Sequence, residues 1–487
     1  AEHDRKLLHC PSSTKVKIPD PQLKPLLVIA GATGFIGRWF IQRYSQQYRI
    51  RALSRSEMIP EPGSDVEWKR VNLYSLSSTS DALEGADYAL YLVHSMSPTS
   101  RLDQGEFQDT DILLADNFAR GAAEQGVKHI IFIGGILPKD GSEFSTHLRS
   151  RYETEQTLKS GSTPVTSIRA GIIIGPGGSS FRIVQKLVEQ LPVMACPKWC
   201  ESPSQPIAIN DMLEIIDRSF GNPDLYDRAI EVGSPEITSY MEMLRITSHK
   251  MGKKRTIFSI PFFTLGFSKL WVATFSNSSV TFVSPLIESL KHDMRVDQQN
   301  NPFQSKKHQS IASAIEEALS VKAPKNPRRR ELPAEKNTVR SVQRMANPSG
   351  LSASWVAKTY PDWLSKKFIF FLTAKKKGDT VSFKLLGLKL LELKFIPSRS
   401  DDKRQLYFIV GGLLVKRLDY GWLEFRSVLN DRYIIAAIHE FVPRLPWYFY
   451  RITQAIFHLL VMRSYGKFLR KETTKRKFES ENRSVIA

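Results

Sequence analysis

Apolar residues in the first third of the chain fall in short unbroken runs, each followed by a stretch with helical spacing. LLVIA at 26–30 leads through a glycine turn into RWFIQRYSQQ, and RIRAL follows at 49–53. Further runs lie at 66–71, 88–93, 129–133 and 165–174, with DALEGA and DILLADNFARGAAEQG among the stretches between them. Strands alternating with helices predict an α/β domain built on a parallel, doubly wound Rossmann sheet with right-handed crossovers. Ligands of such sheets lie beyond the carboxyl ends of the strands. That places Asn72, Leu73, His94, Ser95, Gly134 and Gly135 around one edge.

The rhythm then changes. QQNNPFQ, KAPKNPRRRELPAEK and ANPSG are rich in Pro, Asn and charge without apolar periodicity, so 299–350 reads as a linker holding one short helix, IASAIEEAL. Beyond 351 the pattern becomes strands at 381–386, 388–395, 406–410, 422–429 and 433–441, with KKKGD and SRSDDKR as hairpin turns. The final stretch, PWYFYRITQAIFHLLVMRSYGKFL, spaces its apolar residues by three and four, as a helix packed on a sheet does.

A length of 487 residues exceeds one compact core, and 24% charged with 41% hydrophobic residues describes a folded chain. Cys10, Cys196 and Cys200 are too few for a disulfide scaffold, and CPKWC is one residue too long for a CxxC pair. Reduced thiols and no metal site are expected. Charge sharpens the two-domain reading. Residues 1–321 hold 35 basic and 35 acidic side chains, whereas 322–487 hold 34 and 14, so the whole excess of +20 lies in the last third.

The start of the chain is too charged for a signal peptide. The stretch 447–462, interrupted by Arg451, Gln454 and His458, falls short of the ~20 apolar residues a spanning helix needs. A cytoplasmic location is expected, with contact at the inner membrane surface left open.

The turn from Gly31 to Gly37 carries the clearest chemistry. Glycines at 31, 34 and 37, with Thr33, Phe35 and Ile36 among them, allow a tight turn and close approach of backbone to a pyrophosphate. The following helix aims its free N–H groups at the phosphates. NAD sites place a carboxylate at the end of the second strand, but this chain has Ser54, Arg55 and Ser56 there. Arg55 can pair with a 2′-phosphate in bidentate fashion, so NADP(H) is expected ahead of NAD(H). Arg51 and Arg38 are secondary candidates for the same contact, with a surface charge as the plainer reading of each.

GATGFIG, Asn72-Leu73, YLVHSM, HLRSRYETE, RAGIIIGPG and QPIAIND together resemble the atypical short-chain dehydrogenase/reductases. The likeness is to their NmrA-like and complex I accessory-subunit branch, and to bacterial members with a C-terminal domain of unknown function. The resemblance implies an NAD(P)-binding domain at 24–298 after a tail at 1–23, with a substrate lobe at about 176–295. It also implies a basic α+β domain of helix-grip, START-like form at 351–470 and a basic tail at 471–487.

In typical members a Tyr-x-x-x-Lys pair on the helix after the fifth strand performs proton transfer. In this chain His147 and Arg151 stand in those places, Gly134-Gly135 replaces the usual serine, and Tyr152 has Gln156 where its lysine would be. Arg169 can meet an anionic substrate or pair with Glu153 or Glu155, and Gln205 reads as structural. For the basic domain the expected partners are a small apolar molecule and an anionic membrane surface, the latter through 375–377 and 470–477. No specific nucleic acid is expected, since no recognition motif accompanies the charge. Two functions fit: an NADPH-dependent oxidoreductase acting on an apolar carbonyl or quinone-like substrate, or a sensor or assembly factor that holds NADPH without turning it over.

Overall fold

The computed structural model describes residues 24–95, 102–139, 143–260, 288, most of 292–330, 338–367, 372–417 and 421–486. The chain divides into two compact units, one of 24–96 with 114–332, the other of 97–113 with the residues from 333 on.

The first unit is a seven-stranded parallel sheet. Its strands are β1 (Leu26–Ala30), β2 (Arg49–Ser54), β3 (Glu67–Arg70), β4 (Tyr88–Tyr91), β5 (His129–Gly135), β6 (Val165–Ala170) and β7 (Ala229–Val232), in spatial order β7-β6-β5-β4-β1-β2-β3. β1 sits centrally, which explains its unbroken apolar run. Leu27 and Ile29 join a core with Phe40 and Ile216, while Val28 and Ala30 join another with Phe118 and Ala119. Alternate side chains thus meet helices on opposite faces, and neither face tolerates a polar residue. Each such aliphatic side chain contributes about 1.5–3 kcal/mol on burial. The chain reverses direction across the sheet between β1 and β4, the place where doubly wound folds leave a ligand crevice.

Three further helices, Ser179–Gln190, Tyr240–Lys250 and Ile311–Ser320, share a separate apolar core that includes Leu187, Met243 and Ile315. The last of them falls in the stretch expected to be a linker. Its Ile311, Ala314, Ile315 and Ala318 form a buried stripe at helical spacing, so this helix is part of the first unit's core. Much of the expected substrate lobe, 261–287, lies outside the described residues.

In the second unit, strands β8 (Val339–Ala346), β9 (Leu372–Lys377), β10 (Thr380–Leu385), β11 (Leu388–Phe395), β12 (Arg404–Gly411), β13 (Trp422–Val428) and β14 (Tyr433–Phe441) form an antiparallel sheet in the order β9-β10-β11-β12-β13-β14-β8. An eighth strand, Leu102–Gln104, adds to β8 in parallel. Helices Ala353–Lys367 (α1), Trp447–Ile452 (α2) and Gln454–Ile486 (α3) supply Val356, Tyr360, Tyr450 and Tyr465 to the sheet's apolar core. β8, too, lies in the expected linker. Its alternation is disguised by Arg340 and Arg344, which are held by Glu440 and Asp109. α1 is disguised by Pro361 in its interior.

β13 alternates between two environments. Leu423 and Phe425 enter the apolar core, while Glu424 and Arg426 are fully buried in a cluster of charge. Glu424 accepts from Arg404 and Arg426 at 2.8 Å each, and its other oxygen lies 3.0 Å from His439 Nε2. Burial opposes ionisation of Glu424, yet Arg426 and Arg404 hold its carboxyl well below the usual range.

No described helix is long and apolar enough to cross a membrane, and no described residues cluster as a metal site. Cys196 and Cys200 are buried free thiols.

Candidate functional site

The glycine turn has the shape its sequence predicts. Gly31 has φ +88°, and a Cβ there would lie 2.9 Å from the Leu92 carbonyl; at Gly37 it would lie 2.7 Å from Ala32. Gly34 N–H donates to Gly31 O at 2.9 Å, closing the turn. The helix that follows, Phe35–Tyr44, has no side-chain cap and no acid in its first turn. Its leading N–H groups and the dipole's positive end therefore favour an anion. A dinucleotide's pyrophosphate fits this cradle: it needs backbone donors and close approach, and both are present.

Arg55 is exposed just beyond β2. Arg51 bridges Glu67 and donates to the Ala82 and Glu84 carbonyls, so it fastens the sheet edge. Arg38 donates to Pro324 O at 2.7 Å, and Asn326 Nδ2 donates to Thr33 O at 3.2 Å. Residues 323–330 thus lie against the glycine turn as a strap. Farther along it, Arg328 and Arg329 pair with Ile59 and Met58, and Arg330 bridges Glu57. Reading this segment as linker concealed it. The signal was its run of basic residues, Lys325 and Arg328 to Arg330.

At the carboxyl end of β4, His94 Nε2 lies 3.2 Å from His147 Nδ1. His147 occupies the first turn of the helix Thr146–Lys159, which Ser145 caps by accepting from Leu148 N. One turn on, Arg151 is buried. It donates to Val93 O and Ile133 O and lies 4.5 Å from the centre of the Phe132 ring. Its guanidinium therefore fastens the helix to the ends of β4 and β5. Glu155, another turn along, receives Arg169 in bidentate fashion at 2.8 and 3.0 Å, with Lys159 at 3.3 Å. Of the two roles open to Arg169, the pair with Glu155 is the one formed. Gln205 ties Ser234 O to Val296 N, a structural part.

The remaining sequence-derived residues lie at or just beyond strand ends, each with its own local partners. Asn72 and Leu73 follow β3, with Asn72 Oδ1 accepting from Tyr74 N and Leu73 O from Asn117. Gly134, next to last in β5, lies beside Arg169 and Glu155. Sequence reasoning missed the link between His94 and His147, since the two lie 53 positions apart.

This geometry defines a dinucleotide-binding α/β protein of the NAD(P) type. The NmrA-like family profile matches residues 24–328, and the chain belongs to that family. Auxiliary protein GraX of Staphylococcus aureus is 26% identical over 147 residues, 29% of this chain and 43% of that protein, so less than half of its length is matched. A (4-alkanoyl-5-oxo-2,5-dihydrofuran-3-yl)methyl phosphate reductase of Streptomyces griseus is 24% identical over 237 residues, 47% of this chain and 74% of that one. Among solved structures, Citrobacter triphenylmethane reductase in complex with NADP(H) aligns with 61% of this chain and 100% of its own, at 15% identity and a TM-score of 0.46.

Proposed function

We propose that the chain is an NADP(H)-dependent reductase of an apolar carbonyl or quinone-like substrate, with the His94–His147 pair handling the proton that accompanies hydride transfer. NADP(H), when bound, supplies the hydride. The observation that carries the reading is the 3.2 Å contact between His94 and His147 at the carboxyl edge of the sheet. One ring donates and the other accepts, so a proton passed outward from His147 Nε2 can be replaced at its Nδ1 from His94 Nε2, while His94 takes up one at its own Nδ1 from solvent. Arg55, exposed just beyond β2 where NAD sites place a carboxylate, favours the 2′-phosphorylated coenzyme. The name of the Streptomyces relative, a reductase, is in keeping with this reading.

A second reading rests on Arg151. The cation standing in the ribose-binding lysine's place is committed to Val93 O and Ile133 O, which suits a protein that holds the coenzyme without turnover. Steady-state oxidation of NADPH across a panel of carbonyl and quinone acceptors separates the two. The reductase predicts turnover, and His147→Ala lowers kcat by about 10²–10⁴ with coenzyme affinity unchanged. Stoichiometric NADPH binding with no oxidation across the panel selects the second reading.

A further inference from the structure

The second unit holds a partly open cavity of about 140 Å³. Its wall is apolar, with Phe383, Leu393, Leu423, Phe441, Val461 and Met462 among its residues, and no charged side chain lines it. Ser341, Gln454 and His458 are the hydrogen-bonding side chains on it besides two tyrosines. Gln454 Oε1 is buried with no hydrogen-bond partner, a costly condition unless a ligand supplies the donor. Burial pushes the His458 imidazole down to about 4, so it faces the cavity uncharged. Apolar cavities of about 150 Å³ hold a benzene-sized molecule, so the enclosed part admits on the order of six carbon atoms.

The same helices carry an apolar stripe on their outer side. Phe449, Ile452, Ile456 and Leu460 are 60, 59, 48 and 56% exposed. Phe457 belongs to both sets, lining the cavity while 47% exposed. Stripe and cavity therefore meet. From residue 447 to 471 the chain has five basic side chains, Arg451, Arg463, Lys467, Arg470 and Lys471, and no carboxylate. Exposed apolar residues bordered by cations match an anionic bilayer in both polarity and charge.

We propose that α2 and the first turns of α3 seat on an anionic membrane surface, and that the cavity behind them takes the hydrocarbon end of a neutral amphiphile whose hydroxyl donates to Gln454 Oε1. A carboxylate is excluded, because the wall offers it no cation. The inference is independent of the reductase reading.

Full-length protein titrated with benzene, a neutral probe of the cavity's size followed by ligand-observed NMR, should show saturable uptake that 1-octanol reverses and octanoate does not. Gln454→Leu should weaken octanol about tenfold and leave probe uptake alone. Leu414→Trp, at a half-buried wall position, should abolish uptake with an unchanged far-UV spectrum. The double variant Ile452→Glu, Ile456→Glu should keep uptake but lose at least about tenfold in affinity for phosphatidylglycerol-containing vesicles, against no binding of either protein to pure phosphatidylcholine. No saturable uptake, equal displacement by octanoate, or vesicle binding indifferent to the double variant overturns the proposal. So does a dimer that the double variant dissolves, which would make a second copy the occupant of this face.

Discussion

The two units hold their candidate sites by opposite means. In the first, the site is made of backbone: a turn whose geometry forbids a Cβ at Gly31 and Gly37 and whose donors are main-chain N–H groups. In the second, the candidate site is a volume between side chains, most of them apolar and replaceable by another apolar residue of similar size. A backbone site leaves a fixed mark in the sequence, because only glycine satisfies it. A side-chain cavity leaves none, because hydrophobic bulk is interchangeable there.

That contrast can be broken by experiment. Gly31→Val should have the largest effect: at φ +88° and 2.9 Å from the Leu92 carbonyl, the side chain distorts the turn, and calorimetry should find no coenzyme binding. Probe uptake by the second unit should persist; its loss would show that the two sites are not separate.

Glu424→Gln should come next. It leaves Arg404 and Arg426 buried without their counterion, and the urea transition of the second unit should lose about 3–5 kcal/mol with NADPH affinity unaltered.

A pH series sharpens the comparison from the first unit's side. His129 is fully buried, accepts from Gly221 N at Nδ1 and lies 2.8 Å from Thr166 Oγ1. Burial lowers its pKa from 6.5 to about 4. The unfolded chain therefore binds a proton between these values that the folded chain refuses, and stability falls as pH drops from 6.5 toward 4, by up to about 3 kcal/mol. His129→Gln should flatten that slope in urea titrations; an unchanged slope would assign it elsewhere. Smallest is Arg55→Ala, which should weaken NADPH by about tenfold and NADH by much less. Equal losses would remove the 2′-phosphate assignment.

Much of the first unit was legible because burial on both faces forces unbroken apolar strands, and the turn forces glycine. The C-terminal strands from β10 to β14 were legible for a related reason: they alternate between tight turns. What escaped was held by long-range pairing. β8 hides its period behind Arg340 and Arg344, whose partners lie 100 and 235 positions away. The strap at 323–330 looks like linker because its order comes from hydrogen bonds to Thr33 and Arg38, not from an apolar face of its own. His94 and His147 each looked solitary for the same reason. A sequence displays what neighbours in the chain impose, and distant partners stay silent until the fold joins them.

The strand Leu102–Gln104 has a practical bearing on how this chain can be dissected. It is encoded far upstream of the sheet it completes, so no single cut separates the two units intact. A fragment beginning near residue 338 would leave residues 339–341 of β8 without their partner strand, lengthening an edge open to pairing with other copies. Gene fusions and truncations that treat the molecule as two beads on a string would strip this strand from the sheet it completes.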